Sequence, residues 1–113
     1  MTAVAESEAD FERRIVAVAH TFGWRVASFR PGQNRRGRWA TPVKYDGAGY
    51  PDLTLCHPDR RQVLFVEVKT ARGRVSDVQA GWLDALPSGQ VAVWRPADWP
   101  EIVTRLSFGK ATG

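Results

Sequence analysis

A single cysteine, Cys56, leaves no partner for an internal disulfide and no basis for a cysteine-rich zinc site. The two histidines, His20 and His57, are too scattered to supply zinc geometry with it, so both read as structural. No apolar run approaches the ~18 residues of a membrane span. The opening MTAVAESEADFERR is acidic where a signal peptide would be basic and then apolar. Internal repeats and low-complexity tracts are also missing, which excludes solenoids and fibrous arrays. These absences predict a cytoplasmic protein whose core stands without covalent staples. A chain of 113 residues, 43% hydrophobic and 25% charged, is ordinary for one globular domain and too apolar for disorder. At this length roughly 65% of the unfolded surface is buried on folding. The whole of 1–113 is expected to be that domain, with 1–6 and 109–113 as frayed tails.

Acidic residues are missing from one stretch in particular. Residues 30–44 hold Arg30, Arg35, Arg36, Arg38 and Lys44 and no Asp or Glu, so the net charge of +4 is concentrated there and the rest is close to neutral. A local basic segment suits a polyanion, and it equally suits a solvated loop kept soluble by arginine.

Phe11, Ile15, Val18 and Phe22 recur with helical spacing, Ser7 is a candidate N-cap with Asp10 three residues on, and Gly23 ends the pattern. WRVASF (24–29) reads as a strand. The twenty residues from Arg30 to Gly49 lack a clear period, with a short strand possible at 39–45, and a loop of that length is usually functional or mobile. DLTLC (52–56) and QVLFVEVKT (62–70) read as a β-hairpin around the turn HPDRR. Ser76 caps a second helix with Val78, Trp82, Leu83 and Leu86 facing inward, and Pro87-Ser88-Gly89 stops it. VAVWR (91–95) is a further strand. Asp98 caps a last helix, with Ile102, Val103 and Leu106 turned inward. The order α-β-β-β-α-β-α describes an α/β domain on one mixed sheet with helices over its faces.

The strand VLFVEVK carries the chemistry. Alternation sends Leu64, Val66 and Val68 to one face and Phe65, Glu67 and Lys69 to the other. Burying an acid and a base on an otherwise apolar strand costs several kcal/mol per ion unless each is paired or coordinated. Asp52 opens the preceding strand, and the hairpin can bring its carboxylate near Glu67. Two carboxylates about 4 Å apart repel by roughly 4 kcal/mol at an effective dielectric near 20. A hard divalent cation such as Mg²⁺ or Mn²⁺ removes that penalty. The competing reading is a buried ion-pair cluster, which needs one acid where the sequence supplies two.

GYPDL followed by FVEVKTARGRVSDVQAGWL, together with SEADFERRIVAVAHTFGWRVASFRP, resembles the VRR-NUC branch of the PD-(D/E)XK nuclease superfamily in its short stand-alone form. The resemblance runs over about residues 7–99. It implies a restriction-endonuclease-like core with a mixed central sheet. Asp52 and Glu67 match the metal-binding acids, the Val68 carbonyl the third oxygen ligand, and Lys69 the lysine that orients or activates the attacking water. Glu8 matches the acid on the first helix that completes the metal shell, with Glu12 one turn on as its substitute. Gln79 matches the glutamine that supports the site, although as the third residue after Ser76 it also completes a capping box. Where related members carry a histidine at the end of the first strand, this chain has Ser28.

The expected activity is Mg²⁺-dependent endonucleolytic hydrolysis of DNA, with Mn²⁺ substituting, on branched substrates such as a Holliday junction or flap. Two symmetric cuts in a four-way junction suit a homodimer. Arg30, Arg35, Arg36, Arg38 and Lys44 are then phosphate contacts, and Trp39 a candidate base-stacking residue. Tyr50 reads either as packing or as stacking. No membrane and no small-molecule cofactor are expected. The alternatives are a non-catalytic nucleic-acid-binding module and a nuclease for linear DNA or RNA.

Overall fold

A computed structural model describes residues 5–29, 32–33, 39–40 and 44–108. The first helix, α1 (Glu8–Thr21), starts where Ser7 accepts a hydrogen bond from the Asp10 N–H at 3.1 Å. Its buried face is Phe11, Ile15 and Ala19. Phe22, expected on that face, is instead the C-cap and is exposed, because the helix ends at Thr21 and the chain turns at Gly23 with φ +89°.

Among the described residues the strands in chain order are β1 (Arg25–Ser28), β2 (Gly32–Gln33), β3 (Trp39–Ala40), β4 (Leu53–His57), β5 (Gln62–Val68) and β6 (Val91–Trp94). The main sheet has four strands in the order β1-β4-β5-β6. The β1/β4 and β4/β5 pairs are antiparallel and β5/β6 is parallel, so the sheet is mixed. Helix α2 (Asp77–Ala85) bridges the parallel pair, and a 3₁₀ turn at Pro96–Asp98 leads into α3 (Trp99–Phe108). Counting the elements on the main sheet gives the expected α-β-β-β-α-β-α order. β2 and β3 pair only with each other, so among the described residues the strand expected at 39–45 is two residues long.

The pleat gives the sheet two chemically different faces. Leu53, Leu55, Leu64, Val66 and Val68 point into a core shared with Phe11 and Ile15 of α1 and Ile102 and Leu106 of α3. Trp24 closes one end and donates its indole N–H to the Leu106 carbonyl at 2.8 Å. His57 plays a packing role: its Nε2–H donates to the Phe22 carbonyl at 2.9 Å, its Nδ1 accepts the Arg60 N–H at 3.3 Å, and its ring is edge-on to Trp24.

The opposite face lies under α2, and there the structure departs from expectation. No residue of α2 is buried, and Val78 is 56% exposed. The sheet beneath α2 carries Glu67, whose side chain engages Gln79 of the helix, so polar contacts stand where apolar packing was expected. Asp98 also differs. Its carboxylate accepts the Arg95 N–H at 2.9 Å and closes the 3₁₀ turn, while α3 starts at Trp99, where a helix capped by Asp98 would start.

Candidate active site

Register decides which side chains meet. Ser28 lies opposite Leu53, and Leu53 opposite Val66. One step along each ladder, Phe29, Asp52 and Glu67 are cross-strand neighbours, and the Phe29 N–H donates to the Asp52 carbonyl at 3.3 Å. Side chains directly opposite one another share a face, with Cβ atoms about 5 Å apart. The row therefore places the two carboxylates side by side on the face beneath α2.

Each acid is held from a different direction. The Asp52 carboxylate accepts the Val68 N–H at 2.8 Å. Glu67 is only 1% exposed and its Oε2 accepts from Gln79 Nε2 at 2.8 Å, with Lys69 Nζ 3.3 Å away. Burial pushes the Glu67 carboxyl up from 4.5 to about 7, the charge of Asp52 adds to the rise, and Lys69 opposes it.

Gln79 is the hub. Its Oε1 accepts from Lys69 Nζ and from the Ser76 N–H, both at 2.9 Å, while its own N–H is taken by Ser76 Oγ at 3.2 Å. The capping box and the site contact are therefore one arrangement. A residue fixed by its helix terminus presents a carbonyl to the lysine and an amide to the glutamate. In the sequence Ser76 carries no signal of a site role, because a helix cap is a sufficient reason for a serine there.

Two supports were not legible in the sequence. The Trp82 indole N–H is 3.1 Å from both the Asp46 and Ala48 carbonyls and ties α2 to the turn before Asp52. Arg95 Nη1 donates to the Thr70 and Gly73 carbonyls at 2.8 and 2.6 Å, fixing the loop that leaves Lys69. Tyr50 sits edge-on to Phe29, Phe65 and Trp82, and its hydroxyl is 3.4 Å from Thr54 Oγ1. Of its two readings, packing is the one these contacts describe.

Other expected residues fare differently. Glu8 and Glu12 are half-buried on α1, which packs on the opposite face of the sheet. Among the described residues no three His, Cys, Asp or Glu side chains gather closely enough to hold one ion, so neither joins the Asp52–Glu67 pair as a third carboxylate. Lys44 is exposed. Arg30, Arg35, Arg36 and Arg38 lie outside the described residues, and for Trp39 only the backbone is described. Among the described residues no helix is long and apolar enough to cross a membrane.

The donor set fits a hard divalent cation. Two carboxylates face each other on one strand pair, one of them buried and shifted toward its neutral form, with Lys69 beside Glu67 to offset the charge. Oxygen donors of this kind suit Mg²⁺ or Mn²⁺ over softer metals.

A family model described as VRR-NUC domain matches residues 29–95, more than half of the chain. A curated relative, the Fanconi-associated nuclease 1 homolog of Schizosaccharomyces pombe, is 38% identical over 50 residues. That stretch covers 44% of this chain and 7% of the relative, so the likeness is to a small part of a much longer protein. No solved structure matches the chain.

Proposed function

This chain belongs to the VRR-NUC domain family, and from that premise we propose that it is a metal-dependent endonuclease that hydrolyses phosphodiester bonds in DNA, selective for branched forms such as a Holliday junction or flap. The observation that carries the reading is the carboxylate pair. Asp52 and Glu67 are juxtaposed by strand register, and Glu67 is buried at a cost that packing alone does not explain.

In this reading Asp52, Glu67 and the Val68 carbonyl would hold Mg²⁺ or Mn²⁺, hard cations that favour oxygen donors. The ion supplies a water of lowered pKa and neutralises phosphoryl charge. The chain's own residues do the rest. Lys69, fixed between Glu67 and Gln79, orients the attacking water and faces the phosphoryl oxygens. Gln79 holds Lys69 and Glu67 in one geometry, which limits the reorganisation needed during reaction. Val68 pins the Asp52 carboxylate through its N–H. Arg30, Arg35, Arg36, Arg38 and Lys44 contact flanking phosphates, Trp39 stacks on an unpaired base, and a homodimer brings two sites to a junction.

The test is cleavage of labelled junction, flap, linear duplex and RNA with Mg²⁺, with Mn²⁺ and with EDTA. Junction or flap is expected to be cut fastest, and only with metal. Binding without cleavage would favour a non-catalytic module, and equal cutting of linear DNA or RNA would remove the branched-DNA selectivity.

A further inference from the structure

An exposed aromatic stands at the edge of the carboxylate row. Phe29 is 54% exposed, yet it is not loosely placed. Its N–H is bonded to the Asp52 carbonyl, and its ring lies edge-on to Tyr50, centroids 5.7 Å apart at 83°. Tyr50 is in turn locked against Phe65 and Trp82. The register makes Phe29 the cross-strand neighbour of Asp52 on the same face, so its side chain begins about 5 Å from that of the acid. The basic stretch begins at the next residue, Arg30.

A half-exposed phenyl ring on a rigid aromatic base loses little freedom on contact and presents a flat apolar face. Every nucleobase has a π-face that stacks on such a ring without regard to sequence. In a continuous duplex those faces are already stacked on one another. At a branch point or in a single strand they are available, and the energy of unstacking has already been met.

We propose that Phe29 is a stacking platform for an unpaired nucleobase next to the scissile phosphate, and so a residue through which this site selects splayed over paired DNA. This rests on the nuclease reading for the phosphate's position, whereas the stacking itself needs no catalysis. Tyr50 is the positioning residue that holds the platform, and its hydroxyl bond to Thr54 keeps it upright.

The stacking is tested with oligonucleotides carrying 2-aminopurine in an unpaired position at a flap or junction, titrated with the full chain in EDTA so that nothing is cut. The wild type is expected to quench the fluorophore. Phe29→Ala and Phe29→Leu are expected to lose the quenching and to bind the unpaired substrate about 5- to 150-fold more weakly, the range of one base–aromatic stack. Phe29→Trp is expected to restore both. Leucine retains apolar packing on Tyr50, so a structural role alone would leave Phe29→Leu like the wild type, and that result overturns the proposal. A change in oligomeric state with Phe29→Ala and unaltered quenching overturns it as well, by assigning the ring to a protein interface. With Mg²⁺, the ratio of kcat/KM for branched over linear DNA is expected to fall in Phe29→Ala. A wild type that quenches but never cleaves sinks the nuclease reading and leaves the platform standing. A wild type that cleaves with the ratio unmoved by Phe29→Ala does the reverse.

Discussion

Replacing Glu67 by glutamine is expected to destroy activity and stabilise the metal-free protein. Glu67 is 1% exposed, hydrogen-bonded by Gln79 and faced by Asp52. Its carboxyl is raised from 4.5 to about 7, burial being the main cause. An acid that ionises less readily in the folded state destabilises that state when charged. Below about pH 4.5 it is protonated in both states and nothing is lost. Between 4.5 and 7 the unfolded chain sheds the proton first and stability falls. Above about 7 the full penalty is present. At 1.36 kcal/mol per unit the shift corresponds to about 3 kcal/mol. Glutamine has nearly the same shape. Its oxygen can accept from Gln79 and Lys69, and its amide can donate to Asp52.

Thermal unfolding of both proteins in EDTA from pH 4 to pH 8.5 is the assay. The melting temperatures are expected to coincide near pH 4.5 and to diverge on the order of 10 °C in favour of Glu67→Gln at pH 8. Adding Mg²⁺ is expected to raise the wild type and leave the variant where it was, since a bound ion stabilises only the state that holds it. A variant less stable than wild type at pH 8, or a gap that does not vary with pH, would refute the claim that this carboxylate is held at a cost.

Lys69→Ala is expected to lower cleavage about 10²–10⁴-fold while DNA affinity, read by fluorescence anisotropy, changes little. Gln79→Glu keeps the capping box but sets a third carboxylate 2.8 Å from Glu67. Cleavage is expected to drop at least about tenfold with helix content by circular dichroism unaltered, and an unchanged rate would leave Gln79 as a cap alone. Gly49→Ala places a methyl 2.5 Å from Val78 Cγ1 and 2.9 Å from its carbonyl carbon, at φ +82°. It is expected to cost about 1–3 kcal/mol in chemical denaturation and to slow cleavage by shifting α2, hence Gln79, away from the acids. If the five basic residues of 30–44 all touch phosphates, affinity for duplex should fall roughly 10²–10³-fold from 50 to 200 mM salt.

Local chemistry was enough to read most of this protein from its sequence. Ser7 and Ser76 start their helices because a hydroxyl accepts from a free backbone N–H, and Gly23 ends α1 because it tolerates positive φ. Alternation along VLFVEVK assigned Glu67 and Lys69 to one face, and two acids with one lysine on a buried hairpin already pointed to a cation. Tertiary structure decided what such rules cannot reach. The register of two strand pairs, fixed by all their backbone bonds together, set Phe29, Asp52 and Glu67 in a row. The polar site left α2 half-covered where its pattern promised burial. Periodicity reports which side of an element is apolar. Which elements face one another depends on contacts between residues far apart in the chain, and only the folded sheet brings those together.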